Sequence, residues 1–317
     1  MLKKYDLSQC ALYKCRSQRR LESLLILKKY ELDKIQKLIR YHSFQIDKKD
    51  STEKRDITAP CFDLKKIQSR ILQLLEKIER PEWLISGEKG KCYIDNGKAH
   101  LQSNYAVMID IKKFYDNCKR EPVYRFIKDS LQTSGDVAGI LTDIVTYNGG
   151  IPTGCPTSQI IAYYAYQNMF LEISEIAKEY NCIFTLYVDD MTFSSSSAIN
   201  WQVLARKIDI ILRKYGHKPK YRKVKYYSKD EPKPITGTII GTAHNLDVPN
   251  NLRKKIYENF INIKRNTSEN RFSDMGKFSS LRGQIQAAKS IDPNIFPEID
   301  RLTKLMPYEQ PIKESAK

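Results

Sequence analysis

Apolar residues recur at helical spacing through residues 18–42, where Leu21, Leu24, Leu25, Leu32, Ile35, Leu38 and Ile39 alternate with lysines. The same spacing returns over 63–80 in Leu64, Ile67, Ile71, Leu74, Leu75 and Ile78, and stops before Pro81. Between the two, the polar stretch Asp47 to Asp56 reads as a loop or an edge hairpin. Tyr105 to Ile111 is a short apolar run that takes in Asp110, which predicts a buried strand ending in a carboxylate. Helices are expected near 121–132 and 136–147, then a Gly/Pro-rich turn over 149–156, then a long helix over about 157–180. Ile183 to Val188 and Met191 to Ser194 are β-prone runs on either side of Asp189-Asp190, which predicts a hairpin with a two-residue acidic turn. A helix over 200–215, a basic stretch to 233 and a short strand near 235–241 follow. From 250 onward the pattern is helical, with Pro249, Gly276 and Pro293 separating about three helices, and a boundary is expected near 245–250.

This pattern places chemistry at one point. If the strand ending in Asp110 neighbours the hairpin bearing Asp189 and Asp190, three carboxylates converge at one end of a sheet. Close anions do not all stay ionised at neutral pH without a counterion. Oxygen-only ligands favour magnesium, completed by water and substrate phosphates. Two such ions, about 3.5–4 Å apart, suit an in-line phosphoryl displacement. An Asp-Asp pair alone is more often a solvated turn, but the run Ile183 to Val188 is too apolar for a casual exposed loop.

Charge narrows the partner. Lys and Arg outnumber Asp and Glu by 54 to 37 in 317 residues, a formal charge of +17. Such an excess adds self-repulsion and suits a polyanion. No apolar run approaches the length of a spanning helix, and no signal-peptide core follows Met1, so a nucleic-acid partner and a cytoplasmic setting are expected, with no membrane. The seven cysteines form no Cys-x-x-Cys pair and the four histidines are scattered, so neither zinc nor a disulfide framework is expected.

Four segments then carry a family resemblance. Tyr187-Val188-Asp189-Asp190 is similar to the Tyr-x-Asp-Asp box of reverse transcriptases, and Met108 to Tyr115 resembles the preceding box, an Asp followed by aromatics four and five residues on. Ile151 to Ser158 resembles the Pro-Gln-Gly-x-x-x-Ser-Pro box, with Thr153 in place of Gln, Gln159 in place of Pro, and Gly154 and Ser158 kept. Lys54 to Pro60, followed by Leu64 to Gln68, resembles the segment bearing a triphosphate-binding basic residue. Their order covers about residues 50–245. Three more segments resemble retron enzymes: Asn96-Gly97-Lys98-Ala99-His100 (Asn-Ala-x-x-His, with Gly97 for Ala), Ile235-Thr236-Gly237 (Val-Thr-Gly), and Leu281-Arg282-Gly283 with Ser290-Ile291-Asp292.

The resemblance implies an α+β right-hand polymerase: N-terminal helices and fingers over 1–105, a palm of antiparallel sheet and helices over 106–248 with fingers elements around 120–150, and a helical thumb over 249–317. It implies RNA-directed DNA synthesis with two Mg2+ on Asp110, Asp189, Asp190 and the Ile111 carbonyl. Arg55, Tyr115, Gly154 and Lys223 would meet the dNTP, with Tyr115 under the sugar; Phe114 is expected in the core. Lys220, Arg222 and Lys225, in a basic stretch with interleaved aromatics, would meet nucleic acid. So would Arg253, Lys254, Lys255 and Arg282, with Lys264, Arg265, Arg271, Lys277 and Lys289 on the same helices, tracking an A-form duplex. His100 is either an RNA contact or a satisfied polar residue. Implied partners are a dedicated structured non-coding RNA, its branched RNA–DNA product primed from a guanosine 2′-hydroxyl, and an associated effector in phage defence. From the chain's length, no RNase H, endonuclease or maturase domain is expected. A group II intron-like enzyme and a non-catalytic RNA-binding scaffold on the same fold stay open. A nucleotide cyclase is disfavoured because Val188-Asp189-Asp190-Met191 lacks a glycine-rich acidic turn.

Overall fold

The computed structural model describes residues 4–28, 31–47, 54–268 and 275–305. The chain divides into two compact units, Met1–Cys92 with Asn104–Ser228, and Tyr93–Ser103 with Lys229–Lys317. Each has its own hydrophobic cluster.

In the first unit, strands β1 (Tyr41–Asp47) and β2 (Lys54–Pro60) pair antiparallel, so of the loop or edge hairpin read from the polar stretch the hairpin is seen; residues 48–53 lie outside the described set. Strand β3 (Tyr105–Asp110) buries Ala106, Val107 and Ile109. With β4 (Ile183–Tyr187), β5 (Asp190–Ser195) and β6 (Lys225–Tyr227) it makes an antiparallel sheet in the order β4-β5-β3-β6. Phe193 on β5 and Leu186 on β4 are fully buried, in strands buried on both faces. The segment at 83–85 closes the outer edge of β4: Leu186 donates to the Trp83 carbonyl and Ile85 donates to the Leu186 carbonyl.

Three expected helices differ from the pattern. The periodicity of 18–42 breaks into a helix Gln18–Leu25, a short turn Leu32–Lys34 and a helix Ile35–Leu38, before β1 begins. Ile26 is left-handed (φ 59°), and Leu27 donates back to the Glu22 carbonyl, which ends the first helix. The helix expected over 63–80 runs Phe62–Leu75. Ile78 is still buried because Tyr5 pairs alongside it: the Tyr5 amide donates to the Lys77 carbonyl and the Glu79 amide to the Tyr5 carbonyl. The helix expected over 157–180 is two, Ser158–Ala165 and Gln167–Glu179, parted at Tyr166 (φ −117°). There the Tyr166 hydroxyl accepts from the Lys119 amide and donates to the Asn117 carbonyl.

In the second unit the strand expected near 235–241 is a hairpin, β7 (Lys233–Ile235) and β8 (Thr238–Ile240), joined by β9 (Leu246–Asp247). Thr236 and Gly237 both have positive φ, 39° and 84°, as a two-residue hairpin turn demands. The helices Asn250–Ser268, Met275–Lys289 and Pro297–Leu305 bear out the helical C-terminal pattern. Gly276 lies inside the second of them rather than between helices. Among the described residues, no helix is long and apolar enough to cross a membrane.

Candidate active site

β3 and β5 run antiparallel with Asp110 opposite Asp190. β4 and β5 are paired up to Tyr187 and Asp190, so the tight turn is Val188-Asp189 and Asp190 opens β5. The sequence pattern had put the turn one residue later. Val188 has φ 61°, a conformation a β-branched residue rarely adopts, at a strain of about 1–3 kcal/mol. Two bonds hold it there: its amide donates to the Ser86 hydroxyl at 2.7 Å, and the Ile111 amide donates to the Asp189 carbonyl at 3.0 Å. Sequence reasoning missed Ser86, since a lone serine 102 residues away in the chain gives no signal.

The three carboxylates feel one another. Burial first, then the charges of Asp190 and Asp110, push the Asp189 carboxyl up to about 7. Burial and Asp110 raise that of Asp190, against the pull of Lys223. Lys223 Nζ donates to Asp110 Oδ2 at 2.5 Å. The segment carrying Lys223 is laced to the end of β3: the Lys112 amide donates to the Lys218 carbonyl and the Lys220 amide to the Asp110 carbonyl. Among the described residues, no three His, Cys, Asp or Glu side chains are grouped closely enough to hold a metal ion as they stand. The donor set itself suits a hard divalent cation: three carboxylates whose charges oppose each other.

Tyr115 lies one residue beyond buried Phe114, its ring 5.5 Å away. Burial, then the Asp189 charge, raises its phenol pKa, and the Arg55 charge opposes them, so strand β2 brings Arg55 toward this site. Gly154 explains the hairpin's seat. A Cβ there would stand 2.6 Å from the Thr58 carbonyl oxygen and 2.9 Å from Ile57 Cγ2. The Gly154 amide donates to that carbonyl, and the Thr153 hydroxyl donates to the Asp56 carbonyl. Both residues therefore hold β2, and in this arrangement the Gly154 amide is already engaged. Ser158 donates to the Pro152 carbonyl, which tightens the same turn.

Lys220, Arg222 and Lys225 are exposed. In the second unit Lys254 and Lys255 are exposed, and Lys254 faces Glu258 at 3.8 Å. Arg253 donates to the Val248 carbonyl and Arg282 donates twice to the Thr303 carbonyl, so both also bind their own unit. Lys289 pairs with Asp300. Lys264, Arg265 and Lys277 are exposed, and Arg271 lies outside the described residues. His100 is fully buried, and burial pushes its pKa down to about 3.

The two short motifs of the second unit meet. Asn96 Nδ2 donates to Thr236 Oγ1 at 2.8 Å. A Cβ on Gly97 would stand 2.4 Å from Thr238 Oγ1 and 3.1 Å from Leu246 Cδ2, so glycine is required against β8.

Residues 46–247 match the family model described as reverse transcriptase (RNA-dependent DNA polymerase). The chain belongs to the reverse transcriptase family. Its curated relatives include the retron Se72 reverse transcriptase of Salmonella heidelberg (strain 579083-10), 27% identical over 60% of this chain and 51% of that one. The retron Ec86 reverse transcriptase of Escherichia coli is 28% identical over 50% of each chain. The retron Ec83 reverse transcriptase of Escherichia coli is 24% identical over 79% of this chain and 82% of that one. The chain thus spans about half the length of the first two relatives. The resemblance read from the motifs is borne out, and the mixed helices and antiparallel sheets are those of a right-hand reverse transcriptase fold.

Proposed function

We propose that this chain is an RNA-directed DNA polymerase of a retron, with Asp110, Asp189 and Asp190 at its catalytic centre. The observation that carries the reading is the convergence of these carboxylates at one end of the β4-β5-β3-β6 sheet, in a family of RNA-dependent DNA polymerases. In this reading the fingers lie within 1–105, the palm within 106–248 and the thumb within 249–317. Asp110, Asp189, Asp190 and the Ile111 carbonyl would hold two magnesium ions. Bound there, magnesium would supply charge neutralisation to an in-line phosphoryl transfer. The chain's own residues do the rest. Tyr115 presents a ring to the sugar of the incoming nucleotide and excludes a 2′-hydroxyl. Arg55 reaches the triphosphate from β2, whose position Thr153 and Gly154 fix. Lys223, which donates to Asp110, would meet the nucleotide from the same end of β3. Lys220, Arg222 and Lys225 in the first unit, and Arg253, Lys254, Lys255 and Arg282 in the second, would each meet nucleic-acid backbone.

The RNA would be a dedicated structured non-coding transcript, partly copied into DNA from a guanosine 2′-hydroxyl, with an effector protein as a further partner in phage defence. The names of the relatives, three retron reverse transcriptases, support this assignment. The test is to express the gene with its native upstream flanking DNA and search total nucleic acid for a short RNase-resistant DNA joined to RNA. Its appearance, and its loss in Asp189→Asn/Asp190→Asn, is the expected result. Primer extension on RNA without the branched species would place the enzyme in another lineage. Neither product would leave a scaffold.

A further inference from the structure

One buried titratable group has no part in this chemistry. His217 is 3% exposed, and among the described residues neither ring nitrogen has a hydrogen-bond partner. Its ring centroid lies 4.6 Å from that of Tyr166, edge-on, and 5.3 Å from that of Phe114. Burial, aided by the Lys119 charge, holds its pKa down to about 4, so the ring is neutral at working pH. An enclosed polar ring without partners lowers stability. Hydrogen bonding therefore does not account for a ring at this place.

Its surroundings do. Phe114 directly precedes Tyr115, and the Tyr166 hydroxyl ties the Asn117 carbonyl to the Lys119 amide. The two rings that clasp His217 therefore also support the turn that presents Tyr115. On its own segment, the His217 amide donates to the Leu212 carbonyl at the end of helix Trp201–Lys214. The residues after it lace to β3 through Lys218, Pro219 and Lys220, and lead to Lys223 on Asp110. We infer that His217 is a positioning residue: keyed between Phe114 and Tyr166, its ring fixes the Tyr115 turn and the Lys218–Lys223 segment against each other, and so sets two walls of the nucleotide pocket together.

This rests on the polymerase reading, in which Tyr115 meets the sugar and Lys223 the nucleotide. The experiment compares wild type with His217→Ala, His217→Leu and His217→Phe. Each purified protein is melted thermally, then assayed for extension of a primer on RNA with dNTPs and with rNTPs. His217→Ala is expected to raise the KM for dNTP about tenfold and to erode the preference for dNTP over rNTP, since small misplacements at a reacting centre are costly. His217→Phe keeps a flat ring and is expected to retain both KM and preference, with a higher Tm because the orphan nitrogens are gone. His217→Leu fills space without a ring and is expected to fall between them, and it decides the matter if the alanine variant does not fold. Folded Ala or Leu variants with unchanged KM and preference overturn the inference, as does a Phe variant as impaired as Ala. Wild type that extends no primer refutes the polymerase reading instead, which separates the two failures.

Discussion

Two motif-bearing regions of this chain use their residues in opposite ways. At the end of the β4-β5-β3-β6 sheet, three carboxylates crowd together, Asp189 is held up to about 7, and Val188 is strained. In the second unit, Asn96, Gly97 and Thr236 do the reverse: a hydrogen bond joins their two motifs and a missing side chain lets β8 close in. The first region lowers stability to gain reactivity, and the second spends its residues on packing. A short motif can therefore mark chemistry or architecture, and only the electrostatics and contacts separate the two.

The largest expected effect tests the first half of that contrast. Asp189→Asn/Asp190→Asn should reduce DNA synthesis by at least about 10³-fold, in line with loss of a main electrostatic element of catalysis. The same change should leave the unfolding free energy of the metal-free protein equal or higher at pH 7, because it removes mutual repulsion. A marked loss of stability instead would mean that these side chains hold the fold.

Acid titration should separate the regions by sign. Asp189 has a folded pKa of about 7, well above an unfolded value near 3.9. Between those values the folded state binds the extra proton, so this stabilising contribution is present at low pH and lost as pH rises toward 7. His100 has a folded pKa of about 3, below an unfolded value near 6.5. There the unfolded state binds the extra proton, so stability is lost as pH falls below about 6.5. Each contribution changes by up to about 1.4 kcal/mol per pH unit inside its window. Urea unfolding in EDTA between pH 5 and pH 7 checks this, with the difference from Asp189→Asn/Asp190→Asn and from His100→Gln plotted against pH. The two differences should slope oppositely; parallel slopes would remove the electrostatic distinction.

Gly97 sharpens the packing half. The related retron motif has alanine here, yet a Cβ would meet Thr238 Oγ1 at 2.4 Å. Gly97→Ala should therefore lower the stability of the second unit by roughly 1–3 kcal/mol. Thr238 also donates to the Ile235 carbonyl, so Thr238→Ala lowers stability on its own. Together the two changes should be less harmful than their sum, with a coupling of roughly 1–2 kcal/mol. Strict additivity in denaturant unfolding would show that glycine is present for another reason.

Much of this was legible in the sequence because short apolar runs end at carboxylates. β3 is apolar up to Asp110, and the runs flanking Asp189 are apolar too, so strands, hairpin and carboxylate cluster followed from pattern. The breaks were hidden where no Gly or Pro marks them. Ile26 ends a helix in a left-handed conformation in the middle of an apolar repeat, and Tyr166 parts two helices that read as one. Long-range polar ties were hidden as well, since Ser86 and Thr153 act on backbone groups far off in the chain. The family boxes marked Gly154 for the nucleotide, but gave no sign that its missing side chain also lets the Thr58 carbonyl approach.

The smallest expected effect probes the bond that joins the two motifs of the second unit. Thr236 sits at φ 39°, so its β-branched side chain is already in an unfavourable backbone region, and its hydroxyl accepts from Asn96 Nδ2. Thr236→Val keeps the shape and removes the acceptor, leaving a buried amide donor short of its partner. That should lower stability by about 1 kcal/mol. Thr236→Ser keeps the acceptor and removes the branch, so it should match wild type or exceed it slightly. Equal stability of the valine and serine variants in denaturant melts would show that the Asn96–Thr236 bond adds nothing, and that the meeting of these motifs rests on the close approach at Gly97 alone.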